Sequence, residues 1–325
     1  MLTTVVGNYP KIASVRDGVN LRQAINDAEK NKISAEELEE ICQKTIIRTI
    51  NDQISSGVDI VTDGQIRWLE LTYPMATSLI SVHPGGLRRF YNNNTYYRRP
   101  QITGLISRNT DIATTEYRFA AAHSERPIKA VLCGPITFCD LSDNYYYKSF
   151  DKLAEAVADV LAEEVMSLID AGCTSIQFDE PSLPLYPKKM ELAAKLYARI
   201  FAGARIEHGL YIYFNSIAPI SRTLFNLPVT FFGLDLVSHP TDMDLLRQFP
   251  AGKSLIAGLF DGRNIMLENE KSIRSAVDRI ADVISGDHLL LSPSCGLEFL
   301  PQKYAVAKMA RMCEVAKKLT PTQAR

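Results

Sequence analysis

No two of the six cysteines form a Cys-x-x-Cys pair; they are scattered at Cys42, Cys133, Cys139, Cys173, Cys295 and Cys313. Several sit in apolar runs such as Val131-Leu132-Cys133. They therefore read as small core residues of a reducing compartment, not as a disulfide framework. No apolar stretch approaches the ~20 residues of a membrane span. Residues 1–20 lack the charged start and long apolar run of a signal peptide, so a cytoplasmic protein is expected. An excess of either charge is also missing: 36 Lys and Arg stand against 37 Asp and Glu, a net charge of −1. That balance offers neither the basic footprint of a nucleic-acid binder nor a polybasic surface for membranes, and small molecules are the expected partners. The G-x-G-x-x-G turn of an open, doubly wound dinucleotide-binding sheet is absent.

What is present is a regular alternation. The chain of 325 residues is 46% hydrophobic, enough for a large core. Short apolar runs predict strands at Thr3–Tyr9, Val58–Thr62, Ile128–Cys133, Ser175–Phe178, Gly209–Phe214, Phe232–Val237, Leu255–Leu259 and His288–Ser292. Helical patterns fall at Ala35–Ser56, Leu153–Ala171, Lys188–Phe201, Ile217–Phe225, Met243–Gln248, Glu270–Ile284 and Gln302–Lys318. Strands covered on both faces read as continuous apolar runs, and repeated strand–helix units give parallel sheets with right-handed crossovers. Eight such strands predict one α/β domain over 1–325, a single (β/α)8 TIM barrel. Residues 69–127 break the rhythm. Their aromatic and Arg content, as in Tyr91-Asn92-Asn93-Asn94-Thr95-Tyr96-Tyr97-Arg98-Arg99, argues against disorder and predicts an ordered excursion over one barrel mouth. A plug of aromatics covering that mouth is the plain structural alternative.

In such barrels the chemistry sits at the carboxyl ends of the strands. Those ends carry Asp63, Arg67 and Trp68; Asp179 and Glu180; Tyr213 and Asn215; Asp235 and His239; Asp261 and Asn264; and Cys295. Any one of them could be a helix cap or turn residue, but their convergence on one rim predicts a pocket. Adjacent residues at a strand end point to opposite sides, so one of Asp179 and Glu180 is expected in the pocket while the other braces the rim. A salt bridge to Arg67 or Arg98 is the plainer reading of that pair. From the excursion, Asn94, Tyr96, Tyr97 and Arg98 add stacking faces and a carboxylate fork, a set that suits a reduced pterin with a glutamate tail.

Several of these segments are familiar. Gln177-Phe178-Asp179-Glu180-Pro181 resembles the Asp-Glu-Pro strand end of cobalamin-independent methionine synthases, and Leu132-Cys133-Gly134-Pro135-Ile136-Thr137-Phe138 resembles their Leu-Gly-Pro-x-Thr-Phe run. Gly233–Val237, Phe260–Ile265 and Ser292–Leu297 are similar to the amino-terminal, zinc-free barrel of that family. The resemblance implies a (β/α)8 barrel and methyl transfer from a folate-type donor, such as methyl-tetrahydrofolate, to a thiol such as homocysteine. Asp179, Glu180, Tyr213 and Cys295 are then the expected catalytic group. Asp63, Arg67, Trp68, Asn94, Tyr96, Tyr97, Arg98, Asn215, Asp235, Asp261 and Asn264 are the expected substrate-binding group.

The resemblance also implies, for the family's carboxyl-terminal barrel, a zinc held by His-x-Cys after strand five, a Glu after strand six and a Cys at strand eight. Here those places read Tyr211-Ile212-Tyr213, Val237 or Ser238, and Cys295. Tyr and Val are not ordinary zinc ligands, so no metal is expected; Cys295 and His239 are the remaining candidates, with Asp179 or Glu180 in a rearranged site. Because the pattern spans one barrel, a non-catalytic folate-binding or scaffolding subunit beside a separately encoded zinc barrel is the alternative function. A pocket using Tyr213 as acid or base is a further one, and it requires a lowered tyrosine pKa.

Overall fold

The computed structural model describes residues 1–11 and 20–319, so the last residues of the expected 1–325 domain lie outside the described ones. Its centre is a curled, parallel, seven-stranded sheet. In chain order the strands are β1 (Leu2–Thr3), β4 (Ala130–Cys133), β6 (Ser175–Asp179), β7 (Glu207–Ile212), β8 (Phe231–Asp235), β9 (Ser254–Phe260) and β10 (Leu289–Pro293). Their spatial order is β1-β10-β9-β8-β7-β6-β4. Every residue of β4 and β8 is buried, as expected of strands covered on both faces. The predicted second strand, Val58–Thr62, does not form a full ladder. It makes isolated parallel bridges, Thr4↔Ile60 on one side and Val61↔Ile128 on the other. It thus touches the segments at both outer edges of the sheet, with Ile60 N–H donating to Thr3 O and Lys129 N–H to Val61 O.

Helices pack outside this sheet for the usual reason, one apolar stripe each. In α6 (Phe150–Asp170), Leu153, Val157, Leu161, Val165 and Leu168 are buried, and the Ser149 side chain caps the first turn. The capping box of Ser34 and Glu37 starts α2 (Ala35–Ser55). The chain also forms α1 (Leu21–Glu29), α5 (Pro135–Asp140), α7 (Met190–Ile200), α8 (Ser221–Leu224), α9 (Glu270–Ala281) and α10 (Gln302–Lys318). The helix predicted over Met243–Gln248 is a 3-10 segment, Pro240–Gln248. That over Ile217–Phe225 shrinks to α8, and α1 and α5 were not anticipated.

Residues 69–127 interrupt the strand–helix alternation. They contain α3 (Tyr73–Ser78), a long antiparallel hairpin of β2 (Leu79–Arg89) and β3 (Tyr96–Arg108), and α4 (Thr114–Ala122). β3 also pairs with the short β5 (Asp143–Asn144). The hairpin is bent by register shifts at Ile80/Val82 and Pro84/Leu87. Its tip reaches the main sheet: the Tyr91 hydroxyl lies 2.5 Å from Ser182 Oγ, and the Phe90 and Tyr91 rings pack against Phe214.

Candidate active site

The pocket forms where the hairpin tip meets the carboxyl ends of β6, β7 and β10. Asp179, the last residue of β6, is 3% exposed. Its Oδ1 accepts from Gln177 Nε2 at 2.7 Å and its Oδ2 from the Tyr213 hydroxyl at 3.1 Å. Burial pushes the Asp179 carboxyl up to about 7, against the hydrogen bonds from Gln177 and Tyr213. Around it stand Val6, Asn8, Gln65, Leu69, Glu70, Leu71, Phe90, Thr95, Tyr96, Tyr213, Gly296, Glu298 and Phe299, lining a small cavity of about 80 Å³.

Four side-chain atoms on this wall, Asn8 Oδ1, Gln65 Nε2, Thr95 Oγ1 and Glu298 Oε2, are sealed from solvent with no hydrogen-bond partner among the described residues. Buried polar atoms are nearly always paired, so unpaired ones gathered on one cavity point to a ligand. Burial raises Glu298 to about 8, and burial lowers the neighbouring Lys11 to about 8 while Glu298, Glu70 and Asp63 oppose that fall. Three non-glycine residues here hold left-handed backbone, Gln65 (φ 51°), Tyr91 (φ 48°) and Phe214 (φ 69°). Such strain collects at functional sites.

Of the residues expected from the sequence, Asp179, Tyr213 and Tyr96 line this pocket. Tyr213 does so as a donor to Asp179. Burial and the Asp179 charge push its hydroxyl well above the usual tyrosine value, opposite to what base work requires. Glu180 is not in the pocket. It is fully buried and accepts from Ile136 N, Thr137 N, Thr137 Oγ1 and the Tyr197 hydroxyl. It braces the start of α5 and the face of α7, and Gly134 is glycine because a Cβ there would sit 2.2 Å from Glu180 Cδ. Arg67 is also turned away: its guanidinium is paired with Glu39 at 2.5 Å and stacks over Phe119. Asp63 and Trp68 line a separate small void with Glu116 and Lys129.

Other expected residues serve the backbone. Asp235 accepts from Phe214 N, Val237 N, Ser238 N and Ser238 Oγ, which uses its capacity. Asp261 and Asn264 hydrogen-bond each other and close their own turn. Asn215 donates to Pro181 O, and Asn94 accepts from Arg89 at the hairpin turn. Tyr97 is buried under the hairpin, against Phe90, and Arg98 is exposed with its backbone N–H donating to Glu70. Cys295 is fully buried among Val6, Tyr211, Tyr213, Phe231 and Ile256, and burial pushes its thiol well up, away from the reactive thiolate. Sequence reasoning missed Asn8, Lys11, Gln65, Glu70, Phe90, Glu298 and Phe299. Asn8 and Gln65 at least lay at strand ends that could have been read as rim positions.

The zinc donors of the related family have no counterpart that fits. The Tyr211 hydroxyl is held at 2.7 Å by both Ser292 Oγ and Pro293 O, and its ring fills the space left by Gly233, where a Cβ would lie 2.1 Å away. His239 Nε2 lies 3.0 Å from Phe214 O. Among the described residues no group of three His, Cys, Asp or Glu side chains is placed to hold a metal ion.

Residues 62–285 match the family described as the cobalamin-independent synthase N-terminal domain. Relatives named methionine synthase from Sulfolobus acidocaldarius and Sulfurisphaera tokodaii are each 27% identical. The first alignment covers 95% of this chain and 89% of the relative, the second 97% and 91%. Among solved structures, a B12-independent methionine synthase from Shewanella sp. W3-18-1 in complex with selenomethionine superposes with a TM-score of 0.82 at 21% identity, covering 97% of both chains. A vitamin-B12 independent methionine synthase from Listeria monocytogenes, described as putative, superposes at 0.79 with 18% identity, covering 99% of this chain and 100% of that one.

Proposed function

Because this chain belongs to the cobalamin-independent synthase family, we propose that it is a cytoplasmic, methionine-synthase-like methyltransferase built as one closed (β/α)8 barrel over 1–325. The 69–127 excursion covers its mouth. Closure is supported by the two bridges of the 60–61 segment, which stands as the eighth stave between β1 and β4. The reaction proposed is methyl transfer from a folate-type donor to the thiol of an amino acid such as homocysteine. The donor's N–CH3 bond breaks, an S–CH3 bond forms, and the thiol proton ends on the donor nitrogen.

The observation that carries this reading is the set of unpaired polar atoms beside Asp179. An amino-acid ligand supplies partners for them. Its ammonium meets the Asp179 carboxylate, and its carboxylate meets Gln65 Nε2 and the Lys11 cation. Asn8 Oδ1 and Glu298 Oε2 remain as acceptors for N–H groups such as those of a reduced pterin, with Phe90, Tyr96 and Phe299 as apolar faces. The selenomethionine bound by the Shewanella protein is a ligand of this chemistry. Tyr213 and Gln177 orient Asp179, and the hairpin tip excludes water. No step is routed through zinc, since the donors do not fit it.

Titration calorimetry with L-methionine, L-homocysteine and methyl-tetrahydrofolate tests the reading. Binding of at least one amino acid, competed by the other, is expected; no binding of any of the three would sink it. The unfit zinc donors favour one second reading, a folate-binding subunit that works beside a separate catalytic barrel. Methyl transfer by this chain alone would exclude that second reading. Binding without turnover would favour it.

A further inference from the structure

One buried cation takes no part in the pocket wall. Lys129, just before β4, is 2% exposed in the interior of the sheet. Its Nζ donates to Val5 O at 2.9 Å and to Gln177 Oε1 at 2.6 Å. The other end of the Gln177 amide donates to Val6 O at 2.8 Å and to Asp179 Oδ1 at 2.7 Å. A glutamine amide can be turned either way. Here a cation on its oxygen fixes the orientation, because an ammonium can only donate. The amide nitrogen is therefore aimed at Asp179.

We propose that Lys129 is a positioning residue for the substrate site: acting through Gln177, it fixes the donor on Asp179 and supplies the counter-charge that keeps Asp179 anionic. This rests on the amino-acid reading of the pocket given above. Burying an ammonium costs several kcal/mol unless it is compensated, and an apolar side chain would fill this interior position more cheaply. The charges facing Lys129 are few. Asp179 lies across Gln177, and Asp63 and Glu116 line a small void with Lys129, while Glu180 and Glu298 are the carboxyls that face Asp179 itself. Burial lowers the Lys129 ammonium to about 7 and Asp179 raises it, while burial raises Asp179 to about 7 and Lys129 lowers it. Each group thus favours the charged form of the other, and a ligand ammonium arriving at Asp179 meets a carboxylate already oriented.

The test compares wild type, Lys129→Met and Asp179→Asn. Removing the cation raises the Asp179 pKa further. Methionine affinity of Lys129→Met should therefore fall about tenfold at pH 6.5, one pKa unit being one decade, and recover to within about threefold of wild type at pH 8.5. An affinity loss equal at all pH values would mean that Lys129 only holds the core, and an unchanged affinity profile would remove it from the site altogether. Because Lys129→Met could unfold, the Lys129 titration is also followed directly by NMR of ε-labelled lysine in wild type and in Asp179→Asn. A downward shift in the variant supports the coupling, and an unmoved titration overturns it. Should wild type not take up methionine, the substrate reading fails, and the lysine titration still decides the coupling.

Discussion

At the scale of single residues, Asp179 and Glu180 show how neighbours in sequence part in role. One ends β6 facing the cavity, and the other points into the layer between sheet and helices. Asp179→Asn keeps the shape and removes the charge. We expect methionine binding to weaken by roughly 1.5–3 kcal/mol, the value of a charged hydrogen bond; calorimetry checks it. Glu298 gives a pH signature. Burial puts its folded-state pKa at about 8, above the ordinary 4.5. The stability tied to its protonated form is full below pH 4.5 and is lost as pH rises toward 8. Glu298→Gln should therefore melt on the order of 2–4 °C above wild type at pH 8, with the gap closing as pH falls to 5. A gap independent of pH would show that the carboxyl is not held protonated.

At the scale of elements, Glu180 ties the carboxyl end of β6 to the start of α5 and to α7 through four hydrogen bonds, beside the Gly134 N–H on Asp179 O and the Ser182 N–H on Thr137 Oγ1. Glu180→Ala should cost about 2–4 kcal/mol in urea unfolding, because two α5 amides and the Tyr197 hydroxyl lose their acceptor. Methionine affinity of the folded variant should stay near that of wild type, the reverse of the Asp179→Asn pattern. Equal binding losses in both variants would place Glu180 in the site after all. The hairpin of β2 and β3 was legible only as an ordered excursion. Its strands carry Gly85, Gly86, Pro84 and Pro100, signals that ordinarily demote a strand, and pairing over so long a ladder overrides them. The second strand failed in the other direction: Val58–Thr62 is apolar enough for a full ladder, yet only Ile60 and Val61 bridge.

For the whole molecule, the single-barrel proposal and the unfit zinc donors make a joint prediction. Purified protein should hold well under one equivalent of zinc after dialysis, measured by plasma emission spectrometry. Stoichiometric metal that disappears in Cys295→Ser would overturn the argument from Tyr211, His239 and Cys295. The chain spans nearly the full length of its Sulfolobus relative.

The sequence by itself determined the strand–helix rhythm, because burial on two faces writes continuous apolar runs and burial of one helix face writes a stripe. It also determined the family, through Asp-Glu-Pro and Gly-Pro-x-Thr-Phe, and the loss of the His-x-Cys donors at Tyr211 and Tyr213. Only the tertiary structure decided which rim residues face the cavity. Asp, Asn and Arg at strand ends satisfy turns and ion pairs as readily as ligands, and the choice lies in where their partners arrive. Glu39 comes from α2 to claim Arg67, and three backbone amides and a hydroxyl claim Asp235. Asn8, Gln65, Thr95 and Glu298 come from four distant stretches of chain; Asn8 and Gln65 sit at strand ends, and no local pattern marks Thr95 or Glu298. They form a site because folding brings their unpaired polar atoms to one wall and leaves them there without a partner among the described residues.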